Sequence, residues 1–394
     1  MKVLSVNAGS SSLKFQLYEM PEEKVLISGV FERIGLDGGM YTLKFNGEKI
    51  KEQKDLKDHS VAVQTLIDEL IDKKIISSLD EIEAVGHRIV HGGERYSKSV
   101  IIDDKVIKAV EELSDLAPLH NPANLIGVRT FMKLIPNALQ VGCFDTAFHQ
   151  SMEPEEFLYP VPYEWYTKYG VRKYGFHGMS HNYIANRCAE LLKKKNAKII
   201  SCHIGNGASI CAIKDGKSFD TSMGFTPNAG LMMGSRSGGI DATLIPYVMQ
   251  KTGKSVDEVF EDLNKNSGFV GVSGISSDSR DIEDAIKEGN ERAILSQEIY
   301  VGKIVNYIAR YFIELGGVDA IVFTAGVGEN SAATRSQILD KLAPLGVKYD
   351  KELNNFRGEE RLISTKSSSI KVYVIPTNEE VMIARDTYNL KING

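Results

Sequence analysis

The chain contains few cysteines, and their spacing limits the kinds of site it can build. Only four cysteines occur among 394 residues, and no two of them form a CxxC pair. This spacing argues against a structural zinc site and against a disulfide framework. We therefore expect four buried thiols, at Cys143, Cys188, Cys202 and Cys211.

The chain also lacks an excess of basic residues and a long apolar segment. Its 47 Lys and Arg residues face 52 Asp and Glu residues, a formal net charge of -5, so the basic surplus of a nucleic-acid-binding protein is missing. No run approaches the roughly 18 apolar residues of a membrane span. The start of the chain reaches a polar turn before an apolar signal core could form. We expect a cytoplasmic protein that binds neither nucleic acid nor a membrane.

Two common nucleotide-binding motifs are missing as well. The Gly-Lys-Ser triplets that contain Lys217 and Lys254 lack the upstream glycine of a P-loop. The pair Gly326 and Gly328 is followed by Ser331, where a dinucleotide fingerprint requires glycine or alanine. A P-loop enzyme and a hydride-transferring dehydrogenase are therefore both disfavoured.

The length of the chain favours two domains, because 394 residues exceed the size of one ordinary core. Residues 1–150 predict an α/β domain that opens with a meander of about five strands. The proline-rich stretch 152–162 marks the boundary, and residues 151–380 form a second domain. The closing helix, about residues 381–394, can pack against the first domain.

Two stretches share one plan, in which a strand, a break of glycine and small polar residues, and a second strand follow one another. They occupy residues 3–17 and 198–216. Gly9, Gly205 and Gly207 carry no Cβ, so the backbone at these breaks can approach an anion closely. One such hairpin would be an ordinary turn. Two of them, one in each predicted domain, favour a pair of phosphate-binding turns.

Polar side chains gather where predicted strands and helices end, which is where α/β sheets bind ligands. Arg88 lies near the carboxyl end of a buried strand predicted at 82–90, and Asp145 follows another at 138–144. His120 lies in the break between predicted helices 104–116 and 123–134. Arg236 lies in a glycine-rich loop, residues 221–239. Further along, we predict a helix at 182–195, a helical pattern at 242–262, irregular chain at 268–277, and a helix that follows the Gly-x-Gly turn at 326–328.

Taken together, these motifs resemble the acetate kinase family, within the actin, sugar kinase and heat-shock ATPase superfamily. The set is highly specific because it spans nearly the whole chain in family order. Ser279 and Gly239 depart from the family pattern, and Ser279 leaves the preferred nucleotide base open. The matching stretches are residues 6–15, 87–94, 118–122, 144–149, 174–181, 203–209, 234–238, 323–330 and 377–380.

The resemblance implies an α/β fold of two duplicated actin-like, ribonuclease H-like ATPase domains around a central cleft. It also implies reversible, direct in-line transfer of the ATP γ-phosphoryl group to acetate, giving acetyl phosphate and ADP. Mg²⁺ would serve as cofactor, with Mn²⁺ as a substitute, and the protein would form a homodimer through its C-terminal domain. Propionate or butyrate kinase, a sugar kinase, and a non-metabolic actin-like ATPase stay open as alternatives.

A carboxylate nucleophile is already ionised at pH 7, so the reaction needs cations to bring two anions together rather than a general base. By resemblance, the catalytic residues are Arg88, His120, Asp145, His177 and Arg236. His177 and Arg236 would stabilise the transition state, and Asn7 and Glu379 would hold the metal, with Asp145 beside it. Arg88, Val90, Leu119, Phe176 and Pro227 would bind acetate.

The resemblance also assigns the nucleotide site and leaves the other histidines with structural roles. His177 and His181 stand four residues apart, but a glycine lies between them and no glutamate follows the first, which disfavours a metal pair. We interpret His87, His91, His149, His181 and His203 as structural. The nucleotide-binding residues would be Asn7, Ser10, Ser12, Lys14, His203, Ile204, Gly205, Asn206, Gly207, Asp278, Ser279, Arg280, Gly326, Val327, Gly328, Glu329 and Asn330.

Overall fold

A computed structural model describes residues 1–118 and 120–394 and divides the chain into two compact units. Unit 1 comprises Met1–Phe148 and Asn378–Gly394, and unit 2 comprises His149–Thr377. From the sequence we set these boundaries at residues 150 and 380. The closing helix belongs to unit 1, whereas unit 2 is one continuous segment.

The described residues form strands and helices in alternating groups. In chain order, the strands are β1 (Lys2–Ala8), β2 (Ser12–Glu19), β3 (Lys24–Glu32), β4 (Met40–Phe45), β5 (Glu48–Gln53), β6 (Ile82–Ile89), β7 (Val100–Ile101), β8 (Leu139–Phe144), β9 (Lys198–Ile204), β10 (Ala208–Lys214), β11 (Lys217–Thr221), β12 (Ala320–Thr324), β13 (Arg361–Leu362) and β14 (Lys371–Val374). The helices are α1 (His59–Asp72), α2 (Asp104–Glu112), α3 (Asn121–Leu134), α4 (Pro154–Phe157), α5 (Tyr163–Tyr169), α6 (Gly178–Leu192), α7 (Leu244–Thr252), α8 (Val256–Lys265), α9 (Gly268–Ser273), α10 (Ser279–Lys287), α11 (Glu291–Glu314), α12 (Ala325–Asn330), α13 (Ala332–Lys341), α14 (Lys351–Asn354) and α15 (Glu379–Asn393).

The sheet of unit 1 has the order β5-β4-β3-β2-β1-β6-β8-β7. Strands β1 to β5 pair antiparallel in succession, which confirms the predicted meander. Strand β6 then lies parallel to both β1 and β8. Since β1, β6 and β8 run in the same direction, their carboxyl ends meet at one edge of the sheet. Asn7 and Arg88 are the penultimate residues of β1 and β6, and Asp145 directly follows β8.

The sheet of unit 2 repeats the central part of this plan in the order β11-β10-β9-β12-β14-β13. Strands β9 and β10 form an antiparallel hairpin, and β12 lies parallel to both β9 and β14. The hairpin β9–β10 thus corresponds to β1–β2, and the pair β12 and β14 corresponds to β6 and β8. The two phosphate-type hairpins occupy equivalent positions in duplicated sheets.

Alternating side chains of the unit 1 meander build its core. Leu13, Phe15 and Leu17 are fully buried on one face of β2, whereas Lys14 points outward. They join a cluster with Leu66 of α1 and other apolar residues. Burying each such side chain contributes roughly 1.5–3 kcal/mol to the free energy of unfolding, and this stabilises the β1–β2 hairpin. As expected, the four cysteines are buried and unpaired.

Four local predictions differ from the structure. The helix predicted at 182–195 is α6, which begins earlier, at Gly178. The helical pattern at 242–262 is two helices, α7 and α8, because Gly253 adopts a left-handed conformation, with φ of 74°, that ends α7. The stretch 268–277 was predicted to be irregular, but it contains α9. Finally, the Gly-x-Gly turn at 326–328 lies inside the short helix α12 rather than before a helix.

No helix of the described chain is both long enough and apolar enough to cross a membrane.

Candidate functional site

The turn between β1 and β2 is closed by its own backbone and held from two sides. The N–H of Gly9 donates to the carbonyl of Ser12 at 2.8 Å. Nε2 of His59 lies 2.8 Å from the carbonyl oxygen of Gly9. The side-chain amide of Asn124 donates to the carbonyl of Ala8 at 2.7 Å. Ser10 is exposed at the tip of this turn.

Arg88 and Asp145 form a bidentate ion pair at the carboxyl edge of the unit 1 sheet. Nη2 and Nε of Arg88 donate to Oδ2 and Oδ1 of Asp145 at 2.6 and 3.0 Å. Burial opposes the charge on Arg88, but the carboxylates of Asp145 and Glu379 outweigh it and raise the pKa of the guanidinium. The guanidinium therefore stays protonated. The Asp145 side chain is only 3% exposed, and Arg88 is more accessible, at 21%.

The start of α15 adds two more carboxylates to this edge. Burial raises the pKa of Glu379, with Arg88 opposing the shift and Asp145 adding to it. The next residue, Glu380, forms an ion pair with Lys14 of β2. Asn7 is the register partner of Lys14 across the β1–β2 hairpin, so the predicted metal ligands Asn7 and Glu379 belong to neighbouring elements.

Two asparagines of α3, which the sequence analysis missed, hold the chain that follows Arg88. The side-chain oxygen of Asn124 accepts from the backbone N–H of Val90 at 3.0 Å, and that of Asn121 accepts from the N–H of His91 at 3.1 Å. Both asparagines are buried. They stand three residues apart on one helix face, but a single sequence does not show that asparagines at this spacing are buried.

His120 immediately precedes α3 and caps it through its backbone, because its carbonyl accepts from the N–H of Asn124 at 2.9 Å. The helix begins two residues earlier than the predicted Ala123. Val90, predicted to contact acetate, is 8% exposed at the end of β6. Leu119, another predicted acetate contact, lies outside the described residues.

In unit 2, His177 adopts a backbone conformation that few non-glycine residues accept. Its φ is 58°, and it immediately precedes α6. The residue before it, Phe176, is 2% exposed, and its carbonyl lies 2.9 Å from Nε2 of His149. The ring of His177 stacks on that of His203 with centroids 4.0 Å apart. These contacts hold the imidazole in a fixed orientation beside the β9–β10 hairpin.

Arg236 is a cation that has no anionic partner in the part of the chain that the structure describes. Within the described residues it forms no ion pair, and its Nη1 donates only to the carbonyl of Pro227, at 3.4 Å, and to the sulfur of Met233, at 3.8 Å. Burial lowers the pKa of its guanidinium. A half-buried arginine in such surroundings is stabilised by any anion that binds beside it.

The side chains of His177 and Arg236 converge on Gly207 of the β9–β10 hairpin. A Cβ built on Gly207 would lie 3.7 Å from Nη1 of Arg236 and 3.7 Å from Nε2 of His177. The absence of a side chain at this position leaves space that both groups border. Two donors that face one open position beside a glycine turn form a site for an oxyanion.

A cavity of about 630 Å³ opens next to this hairpin. Eight of the predicted nucleotide-binding residues line it, together with six that the sequence analysis did not select. The predicted ones are Gly205, Asn206, Asp278, Ser279, Arg280, Gly326, Val327 and Asn330. The additional ones are Gly234, Phe269, Ser277, Glu283, Ser331 and Arg357. The remaining predicted nucleotide-binding residues of unit 2 border the hairpin and α12 without lining the cavity. They are His203, Ile204, Gly207, Gly328 and Glu329.

The cavity wall at α12 is braced by the half-buried Glu329 and the fully buried Arg335. Oε1 of Glu329 accepts from the N–H groups of Ala325 and Thr377, at 2.7 and 3.0 Å. Arg335 is fully buried, and its Nη1 donates to the carbonyls of Gly328 and Glu329 at 3.0 Å. Burial lowers the pKa of Arg335 to about 10. Sequence alone gives no reason to expect Arg335 inside, because arginine is rarely buried.

One cluster of carboxylates in the described chain has the spacing of a metal site, but none of its residues lines the cavity. It consists of Glu156, Asp220 and Glu314 in unit 2. Nη2 of Arg310 donates to Oδ2 of Asp220 at 3.0 Å, and Lys173 forms an ion pair with the same carboxylate. Two cations therefore already offset part of the charge of the cluster, and it shares no residue with the predicted metal ligands.

Comparison with known proteins gives matches over nearly the full length of the chain. Residues 2–385 match the acetokinase family model. The acetate kinase of Geobacillus sp. (strain WCH70) is 58% identical over 391 residues, which cover 99% of this chain and 98% of that protein. The acetate kinase of Bacillus subtilis (strain 168) is 55% identical over 391 residues, with 99% of both chains covered.

Two solved structures share the fold closely. The crystal structure of Porphyromonas gingivalis acetate kinase matches with a TM-score of 0.94 at 49% identity and covers 99% of both chains. A propionate kinase from Francisella tularensis subsp. tularensis SCHU S4 matches with a TM-score of 0.94 at 40% identity, covering 98% of this chain and 99% of that one. Together with the duplicated sheets, these matches confirm the predicted actin-like α/β fold.

Replacing Asn124 with leucine should loosen the unit 1 edge. The change leaves the N–H of Val90 and the carbonyl of Ala8 without their partner, at about 1–3 kcal/mol for each unsatisfied group. We expect faster hydrogen exchange at Val90, measured by mass spectrometry, and a lower unfolding temperature. As a control, Asn186→Leu on the exposed face of α6 should change neither, since Asn186 bonds only to Asn182 within its own helix. Unchanged exchange at Val90 in Asn124→Leu would contradict this role.

Proposed function

The chain belongs to the acetokinase family, and on that premise we propose that it transfers the γ-phosphoryl group of ATP reversibly to acetate, giving acetyl phosphate and ADP. The observation that carries this proposal is the oxyanion position at Gly207. Arg236, which has no counter-ion among the described residues, and Nε2 of His177 both border it. A transferring phosphoryl group carries the negative charge that such a position requires.

The nucleotide would occupy the cavity of unit 2, with its phosphates toward the hairpin. Asn206 and Gly205 line the cavity at its hairpin end, whereas Ser279, Glu283 and Arg357 line it through α10 and the chain after α14. Glycines at the hairpin allow close approach of phosphate oxygens to backbone N–H groups. The proposed roles of Asn7, Ser10, Ser12 and Lys14 toward the same phosphates rest on the family resemblance alone.

The acid would be held through Arg88 in unit 1. Asp145 fixes the guanidinium by two parallel hydrogen bonds, so that the outer face of Arg88 is oriented before the acid binds. A carboxylate is ionised at neutral pH and attacks without a general base. We therefore propose direct in-line transfer, in which Asp145 orients Arg88 rather than accepting a proton. Val90, Phe176 and Pro227 stay predicted contacts of the acid, and His120 stays a predicted catalytic residue.

Mg²⁺ fits the residues at the unit 1 edge. Asp145, Glu379 and Glu380 carry three negative charges there, against the two positive charges of Arg88 and Lys14. Burial raises the pKa of Glu379, so a nearby cation would stabilise its ionised form. We propose that Asn7 and Glu379 hold the ion, directly or through water, and oxygen ligands of this kind suit Mg²⁺ or Mn²⁺. The ion would neutralise phosphate charge.

The propionate kinase alternative is not favoured. The curated relatives named above are acetate kinases at 55–58% identity, whereas the propionate kinase structure is 40% identical. A sugar kinase is not favoured either, because the family match extends over residues 2–385.

Formation of acetyl phosphate from ATP, acetate and Mg²⁺, trapped with hydroxylamine, tests the activity itself. Arg236→Ala should lower kcat by about 100- to 1,000-fold, the usual cost of removing one donor to a developing oxyanion. The KM for ATP should change little, because the interaction forms mainly in the transition state. Added guanidine should restore part of the rate.

The matched control for this prediction is Arg95→Ala. Arg95 is an exposed arginine of unit 1 that pairs with Glu112, and its removal should leave kcat within about twofold. A near-normal kcat in Arg236→Ala would remove Arg236 from the mechanism. Absence of acetyl phosphate with the unmodified protein would overturn the proposed function.

We also propose a cytoplasmic homodimer that forms through unit 2. Every residue of α7 is at least partly exposed, including Leu244 and Tyr247. On the adjacent helix α8, Val256 and Phe260 are 44% and 47% exposed. Apolar side chains grouped in this way on two packed helices are typical of a protein interface. Four unpaired cysteines suit a reducing compartment.

Phe260→Glu should shift the protein from dimer to monomer, because it places a charge at the centre of this apolar face. The mass in solution, measured by light scattering after size exclusion, should fall toward 43.5 kDa. Ile313→Glu is the control, since Ile313 is more exposed, at 73%, but lies on α11. A dimer that persists in Phe260→Glu, or a monomeric unmodified protein, would contradict the proposed interface.

A further inference from the structure

Two serines and a second histidine connect His177 to the interior of unit 2. Nδ1 of His177 lies 2.9 Å from Oγ of Ser209. The same Oγ lies 2.8 Å from Nε2 of His181. On the far side of that ring, Nδ1 of His181 lies 2.9 Å from Oγ of Ser201. We refer to Ser201, His181, Ser209 and His177 as the histidine–serine chain.

The inner three members of this chain are shielded from water. Ser201, His181 and Ser209 are each 0% exposed. Burial, with His149 and His203 adding to it, holds the pKa of His181 well below its usual value of 6.5, so its imidazole is neutral and carries one N–H. Each hydroxyl likewise has one hydrogen to donate. The histidine–serine chain therefore contains a fixed number of protons, and the possible arrangements of these protons can be enumerated.

Only one arrangement gives every buried hydrogen of the chain an acceptor. Within the described residues, Oγ of Ser201 has no hydrogen-bonding partner besides His181. If His181 carried its proton on Nδ1, the hydroxyl hydrogen of Ser201 would be buried without an acceptor, which is unfavourable. Ser201 therefore donates to Nδ1 of His181, and His181 carries its proton on Nε2.

The direction of these hydrogen bonds then determines the tautomer of His177, at the other end of the histidine–serine chain. Nε2–H of His181 donates to Oγ of Ser209, whose own hydrogen is left to donate to Nδ1 of His177. Since Nδ1 of His177 accepts, a neutral His177 must carry its proton on Nε2. That is the nitrogen 3.7 Å from the Cβ position of Gly207, where Arg236 also points.

We propose that Ser201, His181 and Ser209 are positioning residues that keep neutral His177 in the Nε2–H form, ready to donate to the transferring phosphoryl group. The value of this tautomer to the reaction rests on the proposed function, but the tautomer itself does not. A neutral donor can stabilise phosphoryl oxygens without first being protonated, so His177 can act at a pH at which imidazole is uncharged.

Nitrogen-15 NMR of histidine-labelled protein tests the tautomer directly, in the resting protein and without substrates. We expect a pyridine-type shift at Nδ1 of His177 and a pyrrole-type shift at Nε2, with His177→Gln used to assign the signals. Ser209→Ala should produce a mixture of the two forms at His177. A pyrrole-type Nδ1 at His177 in the unmodified protein would overturn the proposal.

Ser218→Ala is the matched control for Ser209→Ala. Ser218 is also buried, and its Oγ lies 2.8 Å from Nδ1 of His149, but it is not hydrogen-bonded to the histidine–serine chain. The Ser218 variant should leave the tautomer of His177 unchanged. If both variants change the tautomer of His177 equally, the cause is a general loosening of unit 2, and the proposed role of Ser209 is wrong.

Kinetics separate this proposal from the proposed function. Ser209→Ala should lower kcat about tenfold with little change in the KM for ATP or acetate, as expected when one orienting hydrogen bond is lost. Ser209→Thr, which keeps the hydroxyl, should recover the tautomer and most of that loss. An unmodified protein with the expected tautomer but no acetyl phosphate formation would refute the function alone. If the Ser209→Ala protein contains both tautomers of His177 but has a normal kcat, only the catalytic value of the histidine–serine chain would be refuted.

Discussion

The positive charge of Arg236, left without a counter-ion in the part of the chain that the structure describes, is the constraint on which the site depends. Three other cations that are at least partly buried do have ionic or hydrogen-bonding partners: Arg88 pairs with Asp145, Lys173 pairs with Asp220, and Arg335 donates to backbone carbonyls. Arg236 has only weak neutral acceptors. An unpaired, partly buried charge destabilises the fold. Such a charge is therefore typical of a site where an anion binds and supplies the missing counter-ion.

The two units share one sheet plan but carry opposite electrostatics at equivalent edges. Unit 1 places three carboxylates around Arg88 and Lys14, which suits a cation and a small acid. Unit 2 places a histidine and an unpaired arginine beside a glycine hairpin, which suits phosphate. The duplicated sheets contain two similar turns at strand ends. The residues that follow each strand determine whether that turn suits a cation or an anion.

Much of this could be predicted from the sequence, because the hairpins have strong local signals. Alternating burial in β2 follows directly from Leu13, Phe15 and Leu17, and glycines marked both turns. The start of α6 could not be predicted, since it depends on a positive φ at His177 that tertiary contacts impose. The family resemblance named His177 and Arg236, but only the structure showed that they converge.

Buried polar residues were the main omission. Asn124, Ser209 and Arg335 lie in ordinary helix and strand segments, and nothing in their neighbours distinguishes them from exposed polar residues. Their roles arise from tertiary hydrogen bonds, and some of the partners are distant in sequence: the carbonyl of Ala8, which accepts from Asn124, is 116 residues away. Single-sequence reasoning has no access to such pairs, whereas the hydrogen-bonding requirement of buried groups makes them obvious in three dimensions.

Affinity for a transition-state mimic tests the role of Arg236 most directly. ADP, Mg²⁺, acetate and aluminium fluoride together imitate the planar phosphoryl group during transfer, whereas ADP alone imitates only the nucleotide. If Arg236 binds the transferring group, Arg236→Ala should weaken inhibition by the mimic about 100-fold or more and change ADP affinity less than about threefold. Equal losses for the mimic and for ADP would show that Arg236 merely helps to bind nucleotide, and would contradict the account.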